Sequence, residues 1–361
     1  MEAGGCPGGH RHSPGLRVRA HRPRRSAAGI ALLEAAAVRQ LRGARSVLLP
    51  AGPRERAPGR RGQRTPAGLG QARGHLPRTA RSRPRLQLRP LRDARPPRHH
   101  DPDRLLLAAQ CMAALFAVDD YYCDDERTGS DTAMLGNRLT LGQTALDPAY
   151  LVGGWGYQDQ LEQALTSDPV LVGLRSYIDR VAGFGTPAQV GRVRHETVAM
   201  FVVMNAEAGW RTAQCTPPVW EYLAARQVNS FLPCMTLIDI IGGYELPASL
   251  YAHPPVRRAT MLAASASIIL NDLYSMAKEA EPGIGDGGLP DVIAAERGCP
   301  LPEAIDLSAA YHDELVHNFE AAQKDLCATI PSPHLWRYLA GLHAWLGGSH
   351  EWHATTGRYA T

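Results

Sequence analysis

The sequence predicts an all-α helical bundle preceded by an irregular N-terminal segment, and three observations support this fold class. After residue 100, long stretches carry apolar side chains at helical spacing, whereas the period-two alternation of a β-strand is essentially missing. Proline pairs precede two of these stretches, and a Gly-Gly or Pro-Gly pair lies at the end of each of the same two, as expected where helices begin and end. The composition also changes abruptly near residue 101, which indicates a domain boundary there.

Residues 1–100 differ from the rest of the chain in charge. They contain 23 arginines, no lysine and four acidic residues, so their net charge is +19 and the remainder carries −15 of the total of +4. Only IALLEAAAVRQL (30–41) has a helical pattern, and the segment has too little apolar surface to offset its chain entropy. Three interpretations stay open: disorder, an arm that neutralises nucleic-acid phosphates, or a mistranslated, GC-rich reading frame. The lack of aromatic side chains for base stacking disfavours nucleic acid.

Composition also limits the cellular context of the protein. The seven cysteines are scattered, odd in number and without a C-x-x-C pair, which argues against a disulfide framework or a structural zinc site. No apolar run approaches the roughly 18–20 residues of a membrane span, and the N-terminus lacks the apolar centre of a secretory signal. We therefore expect a cytoplasmic protein without a membrane span.

The predicted helices begin at Asp101, the expected N-cap, with Pro102 as the first helical residue. Pro233 has no N–H for the carbonyl of Asn229 and should break or kink its helix. Residues 101–361 are thus expected to form one helical domain. Beyond the first helix, the predicted helices cover residues 157–165, 170–184, 189–213, 219–243, 256–281, 302–330 and 334–356.

The stretch NDLYSMAKE (271–279) carries polar side chains at steps of four immediately after an apolar run. Asn271, Ser275 and Glu279 therefore share one face of a helix. Three oxygen-bearing side chains in such a row can converge on one hard cation, and magnesium prefers that kind of shell. The alternative is a solvated polar face near the end of a helix.

A second cluster of oxygen-bearing side chains ends the first helix in VDDYYCDDE (118–126). On an α-helix, Asp120 and Asp124 are one turn apart and Asp119 flanks the same edge. These acids repel one another and oppose the helix dipole unless a cation offsets their charge. A solvated acidic helix end is the alternative, but the second oxygen stripe about 150 residues later favours metal binding.

The two motifs together resemble those of the class I terpene synthases, in which an aspartate-rich motif and an Asn-Asp-x-x-Ser-x-x-x-Glu motif face each other across a helical bundle. NDLYSMAKE matches the second motif, with Lys278 as a frequent companion. DDYYCDD resembles a spaced-out form of the first, in which Cys123 takes the place of the later acid and Asp124 or Asp125 must replace it. This spacing is similar to that of bacterial synthases that make methylated or degraded terpenoid odorants.

The resemblance implies a set of site residues over roughly 101–361. It assigns Asp119, Asp120 and Asp124 to two Mg²⁺ ions and Asn271, Ser275 and Glu279 to a third. Arg226, about 45 residues before Asn271, matches the diphosphate-sensing arginine of the family. Arg suits that role because its planar fork donates two parallel hydrogen bonds. The remaining diphosphate-binding residues would be Lys278, Arg358 and Tyr359.

Other residues would face the carbocation that remains after diphosphate leaves. In the family, a helix break after the sensor arginine directs a backbone carbonyl at the cation, and Asn229 and Ser230 are the matching positions; an ordinary kink is the alternative. Phe116, about one turn before Asp119, would offer its ring face to the cation. Four further aromatic residues could contribute, although each is better explained as ordinary core: Phe201, Phe231, Trp345 and Trp352.

The resemblance further implies ionisation of an allylic prenyl diphosphate. The leading expectation is cyclisation of 2-methylgeranyl diphosphate to a bornyl-type alcohol with release of diphosphate. The alternatives are a sesquiterpene cyclase acting on farnesyl diphosphate, and a non-catalytic isoprenoid-diphosphate binder. The binder is an alternative because family members carry further helices before the aspartate motif, where this chain has its Arg/Pro-rich segment and the first helices are apparently missing. A homodimer is one assembly that the resemblance allows, and no nucleic-acid partner is expected.

Overall fold

The computed structural model describes residues 101–124, 132–278 and 288–355. Within these ranges the chain is helical with short connections and has no strand, which confirms the all-α prediction. The expectations for residues 1–100 lie outside the described residues. In chain order, the α-helices of the described ranges are α1 (Pro102–Val118), α2 (Leu135–Leu146), α3 (Tyr157–Ser167), α4 (Pro169–Phe184), α5 (Pro187–Ala213), α6 (Val219–Val228), α7 (Leu232–Met235), α8 (Ile238–Ile241), α9 (Ala248–Tyr251), α10 (Pro254–Lys278), α11 (Leu289–Arg297), α12 (Leu301–Thr329) and α13 (Pro333–Thr355).

Helix α1 begins as predicted and lies in the core. The Asp101 side chain accepts a hydrogen bond from the backbone N–H of Asp103 at 3.0 Å, and Pro102 opens the helix. The helix packs against α4 and the short helices α7 and α8. By length and composition, Pro102–Cys123 is the one helix among the described residues that could cross a membrane, so the expectation that no apolar run is long enough was wrong. However, 61% of the 18-residue apolar window in this helix is buried inside the protein, as in a core helix.

The end of α1 departs from a regular α-helix. It continues into a π-helical turn over Asp119–Asp124, in which each hydrogen bond spans one more residue than in an α-helix. Asp119, Asp120 and Asp124 are therefore spaced around a wider turn than the α-helical one that the sequence prediction assumed. Short π-helical turns inside helices are frequent at functional sites.

The predicted helix over 219–243 is divided into α6, α7 and α8. Helix α6 ends at Val228, because Asn229 adopts φ −77° and ψ 77°, outside the helical region. Pro233 lies in the first turn of α7, where its missing N–H leaves no helical acceptor unpaired. The predicted break is thus present, but it begins four residues before the proline.

Three described helices have no counterpart in the sequence prediction: α2, α9 and α11. In α2 the buried positions follow helical spacing, but glycines and polar residues interrupt the apolar run LGNRLTLGQTAL. A Cβ at Gly142 would lie 3.1 Å from the ring of Phe201, so the glycine gives that ring room against α2.

Helix α10 occupies the centre of the bundle. It packs against α6, α7, α11, α12 and α13, and it presents fully buried alanines to these neighbours. Because alanine is small, several helices can approach α10 at once. The metal-motif residues at its C-terminal end are thereby placed on a rigid central element.

Candidate active site

A small cavity lies where α1, α5, α10 and the break between α6 and α7 meet. Its volume is about 80 Å³, well below the roughly 300–1,000 Å³ of typical ligand pockets. The cavity of this structure is therefore smaller than a typical small-molecule site. The cavity is lined by Met112, Leu115, Phe116, Asp119, Met200, Met204, Arg226, Asn229, Ser230, Phe231, Cys234, Ile268 and Asn271.

Six of the predicted site residues belong to this lining, and they bring the two sequence motifs together. Asp119 comes from the π-helical turn and Asn271 from α10, so a carboxylate and an amide face one cavity. Oxygen donors of these types fit a hard cation such as magnesium. In the described part of the chain, no group of three His, Cys, Asp or Glu side chains that could hold a metal ion gathers at this cavity or at any other place.

The other predicted site residues are placed differently. Asp120 and Ser275 are half-buried, and neither is part of the cavity lining. The side chains of the remaining predicted residues lie outside the described parts of the chain: Asp124, Lys278, Glu279, Arg358 and Tyr359.

Arg226 is held by a buried carboxylate that the sequence analysis left without a role. Its Nη2 and Nε lie 2.6 and 3.0 Å from Asp272 Oδ1. The Tyr222 hydroxyl donates to Asp272 Oδ2 at 2.8 Å, and the backbone N–H of Leu289 donates to the same oxygen at 3.2 Å. Because Asp272 is 1% exposed and accepts from three groups, it anchors the arginine.

The contact with Asp272 also keeps Arg226 positively charged. Burial lowers the pKa of the guanidinium, but the Asp272 carboxylate outweighs burial and, with Tyr222 and Glu207, raises the pKa well above its ordinary value. Arg226 is therefore a permanent cation at the wall of the cavity.

The helix break after Arg226 is fixed by side-chain hydrogen bonds. The Asn229 amide donates to both carboxylate oxygens of Glu207, at 3.1 and 2.9 Å. Arg226 Nη1 lies 3.4 Å from the Asn229 carbonyl oxygen, and the Ser230 hydroxyl donates to the Gln227 carbonyl at 3.0 Å. The backbone carbonyl at the break is thus held beside the guanidinium. The spacing of residues in the sequence did not indicate a role for Glu207.

The rest of the cavity wall is apolar. The ring of Phe116 stacks on Trp352 with centroids 6.1 Å apart and planes inclined by 17°. Phe231 also lines the cavity and packs against Trp345 at 6.0 Å. Trp345, Trp352 and Phe201 are buried behind the wall rather than in it.

His353 is another residue that sequence reasoning missed. It is 2% exposed, and its Nε2 lies 3.2 Å from Asn271 Nδ2, while its Nδ1 lies 2.8 Å from the Ser349 carbonyl oxygen. Burial lowers its pKa to about 4, although the Ser349 carbonyl acts in the opposite direction. The imidazole is therefore neutral at pH 7. No metal-like spacing marked it among the fourteen histidines of the sequence.

Comparison with known proteins points to one family. The sequence model described as "Terpene synthase family 2, C-terminal metal binding" matches residues 110–318. The chain is 42% identical over 259 residues to the 2-methylisoborneol synthase of Streptomyces ambofaciens, an alignment that covers 72% of this chain and 58% of the relative. It is 38% identical over 264 residues to the 2-methylisoborneol synthase of Saccharopolyspora erythraea, covering 73% of this chain and 74% of that relative.

Solved structures agree with the sequence relatives. The crystal structure of 2-methylisoborneol synthase from Streptomyces coelicolor A3(2) in complex with Mg²⁺ and 2-fluoroneryl diphosphate matches with a TM-score of 0.69 and 39% identity, over 72% of this chain and 79% of that one. The chain spans only 53–58% of the length of several curated relatives. Because the family model covers more than half of the chain, and because its metal motifs meet at one cavity, the chain belongs to the terpene synthase family.

Proposed function

We propose that this chain is a magnesium-dependent class I terpene cyclase that converts 2-methylgeranyl diphosphate and one water into 2-methylisoborneol and diphosphate. The observation that carries the proposal is the meeting of Asp119, Arg226 and Asn271 at one cavity whose remaining wall is largely apolar. The choice of substrate and product is supported by relatives named 2-methylisoborneol synthase at 38–42% identity.

The donor set would hold the cations at the polar end of the cavity. Asp119, with Asp120 and Asp124, would bind two Mg²⁺ ions, and a third would be bound by Asn271, Ser275 and Glu279. When bound, magnesium supplies positive charge that stabilises the leaving diphosphate.

Arg226 would orient the diphosphate and stabilise the charge that develops on it. Because Asp272 already fixes its Nε and Nη2 groups, the guanidinium needs little reorganisation when the carbon–oxygen bond breaks. Further donors to the diphosphate would be Lys278, Arg358 and Tyr359.

The carbocation left after ionisation would be stabilised by the rest of the wall. The Asn229 carbonyl at the helix break, with neighbouring Ser230, would direct negative partial charge at the cation. The Phe116 ring would present its π face. The apolar side chains of the wall would exclude stray water until cyclisation is complete. One water would then capture the bornyl-type cation and lose a proton to the released diphosphate, which leaves the alcohol.

Substrate choice is tested by incubating the purified full chain with Mg²⁺ and geranyl, 2-methylgeranyl or farnesyl diphosphate, followed by mass spectrometry of the volatiles. We expect 2-methylisoborneol from 2-methylgeranyl diphosphate, and none when EDTA replaces Mg²⁺. Cyclic products from farnesyl diphosphate alone would identify a sesquiterpene cyclase, the activity named for the 27% identical 4-epi-cubebol synthase of Streptosporangium roseum. Diphosphate binding without turnover would identify a non-catalytic binder.

The cytoplasmic location and the homodimer remain predictions.

A further inference from the structure

Asn271, the amide of the proposed metal site, contacts a buried imidazole on α13. Asn271 Nδ2 and His353 Nε2 are 3.2 Å apart. The histidine is packed against other rings, with centroids 4.8 Å from Trp352, 5.4 Å from Tyr274 and 6.1 Å from Phe231. Its ring plane is therefore fixed by packing on several sides.

The backbone determines which ring nitrogen carries the proton. His353 Nδ1 lies 2.8 Å from the Ser349 carbonyl oxygen, and a carbonyl oxygen can only accept a hydrogen bond. Nδ1 therefore donates its proton to that carbonyl, and Nε2, which lies 3.2 Å from the Asn271 amide nitrogen, accepts a hydrogen bond from it. Of the two ends of the Asn271 amide, only the NH₂ group can donate to Nε2, so the amide nitrogen faces the histidine and the amide oxygen points away from it.

We propose that His353 is a positioning residue that fixes the orientation of the Asn271 amide, so that its oxygen rather than its nitrogen is directed at a divalent cation. This proposal rests on the proposed magnesium-dependent function. An amide has nearly the same shape after a half-turn about its terminal bond. The flipped amide would present N–H groups, which carry positive partial charge and oppose a cation. Contacts of this kind in the outer shell typically change metal affinity by about 10–100-fold.

Mg²⁺ binding in the presence of inorganic pyrophosphate, measured by calorimetry on the full chain, tests the role without a turnover assay. His353→Phe keeps an aromatic ring but removes the acceptor, so we expect Mg²⁺ affinity to fall about 10–100-fold. His353→Gln places an acceptor oxygen near the former Nε2 and should stay within about threefold of the unsubstituted chain. His350→Phe is the matched control, because His350 is an exposed histidine of the same helix. Equal affinities for the His353→Phe and His350→Phe chains would overturn the proposal.

The tautomer itself is tested on the unsubstituted protein, independently of any effect of substitution on folding. In ¹⁵N-histidine-labelled protein, long-range ¹H–¹⁵N correlation spectra should show a protonated Nδ1 and an unprotonated Nε2 for His353. The His353→Gln chain assigns the signal by its disappearance. A protonated Nε2 would overturn the proposal, because the Asn271 oxygen would then have to face the histidine. If the unsubstituted chain bound no Mg²⁺ with pyrophosphate, the proposed function would fail, while the tautomer would still decide the orientation of the amide.

Discussion

The Arg226 guanidinium lies 2.6 Å from the Asp272 carboxylate, across 46 residues of sequence. Asp272 stands inside the metal motif NDLYSMAKE, yet it binds the arginine, while its neighbour Asn271 lines the cavity. Two adjacent residues of one helix thus have different partners. One faces the proposed cation site, and the other fixes the proposed diphosphate donor.

Replacing Asp272 should destabilise the protein. Asp272→Asn leaves a partly buried guanidinium without its counterion, and breaking a buried ion pair costs about 3–5 kcal/mol. Since the Arg226 side chain is 19% exposed, we expect a loss near the lower end, about 3 kcal/mol in the free energy of unfolding. Urea denaturation followed by circular dichroism measures this loss.

The matched control is Asp103→Asn. Asp103 pairs with Arg180 at 2.9 Å, but its side chain is 69% exposed. An exposed pair contributes about 0–1 kcal/mol. Similar losses from the two substitutions would show that Asp272 does not anchor Arg226.

The proposed metal ligands should be needed for turnover but not for folding. We expect Asp119→Ala and Asn271→Ala each to abolish cyclase activity while the helical circular dichroism is kept. Asn318→Ala, at an exposed position of α12, is the control. If either ligand variant kept more than about a tenth of the unsubstituted rate, a barrier change below about 1.4 kcal/mol, its assignment would be wrong.

Phe116 should control how far the reaction proceeds. Its ring face is expected to stabilise the cation by about 2 kcal/mol in a dry site, so Phe116→Leu should slow turnover by up to about 30-fold. It should also raise the share of acyclic alcohols, because an unstabilised cation is captured by water before it cyclises. Phe116→Tyr keeps the ring and should keep cyclic products. Gas chromatography with mass spectrometry compares the two, and identical product profiles would contradict the role.

Several parts of this fold and site could be predicted because they depend on local sequence. Asp101 and Pro102 start α1 as the N-cap and first-turn pattern requires. Pro233 predicted the break after α6, although the helical backbone already ends at Asn229, four residues before the proline. Two metal motifs were predicted from their spacing together with a family resemblance, and one residue of each, Asp119 and Asn271, lines the same cavity.

Other parts depend on contacts that no spacing encodes. The pairing of Arg226 with Asp272 joins two helices, and Glu207 reaches Asn229 from a third. The contact of His353 with Asn271 spans 82 residues. The π-helical turn at Asp119 was missed because one extra residue per turn barely alters a periodicity read over six residues.

Gly288 offers a final test of the Arg226–Asp272 pair, because it lies directly against the carboxylate-bearing residue. A Cβ at Gly288 would stand 2.9 Å from Asp272 Cβ and 3.4 Å from its Cα. The backbone of Gly288 is ordinary, with φ −66° and ψ −177°, so only space requires glycine here. Gly288→Ala should push Asp272 away from Arg226 and destabilise the fold by about 1–3 kcal/mol, as overpacking does.

The matched substitution is Gly347→Ala in α13, where a Cβ would meet nothing within 4 Å. Alanine is a better helix former than glycine by about 1 kcal/mol, so this variant should be slightly more stable than the unsubstituted chain. Thermal unfolding should therefore move in opposite directions for the two variants, and calorimetry should show weaker pyrophosphate binding for Gly288→Ala alone. If both variants gained stability and bound pyrophosphate equally, the close approach of Gly288 to Asp272 would have no part in holding Arg226.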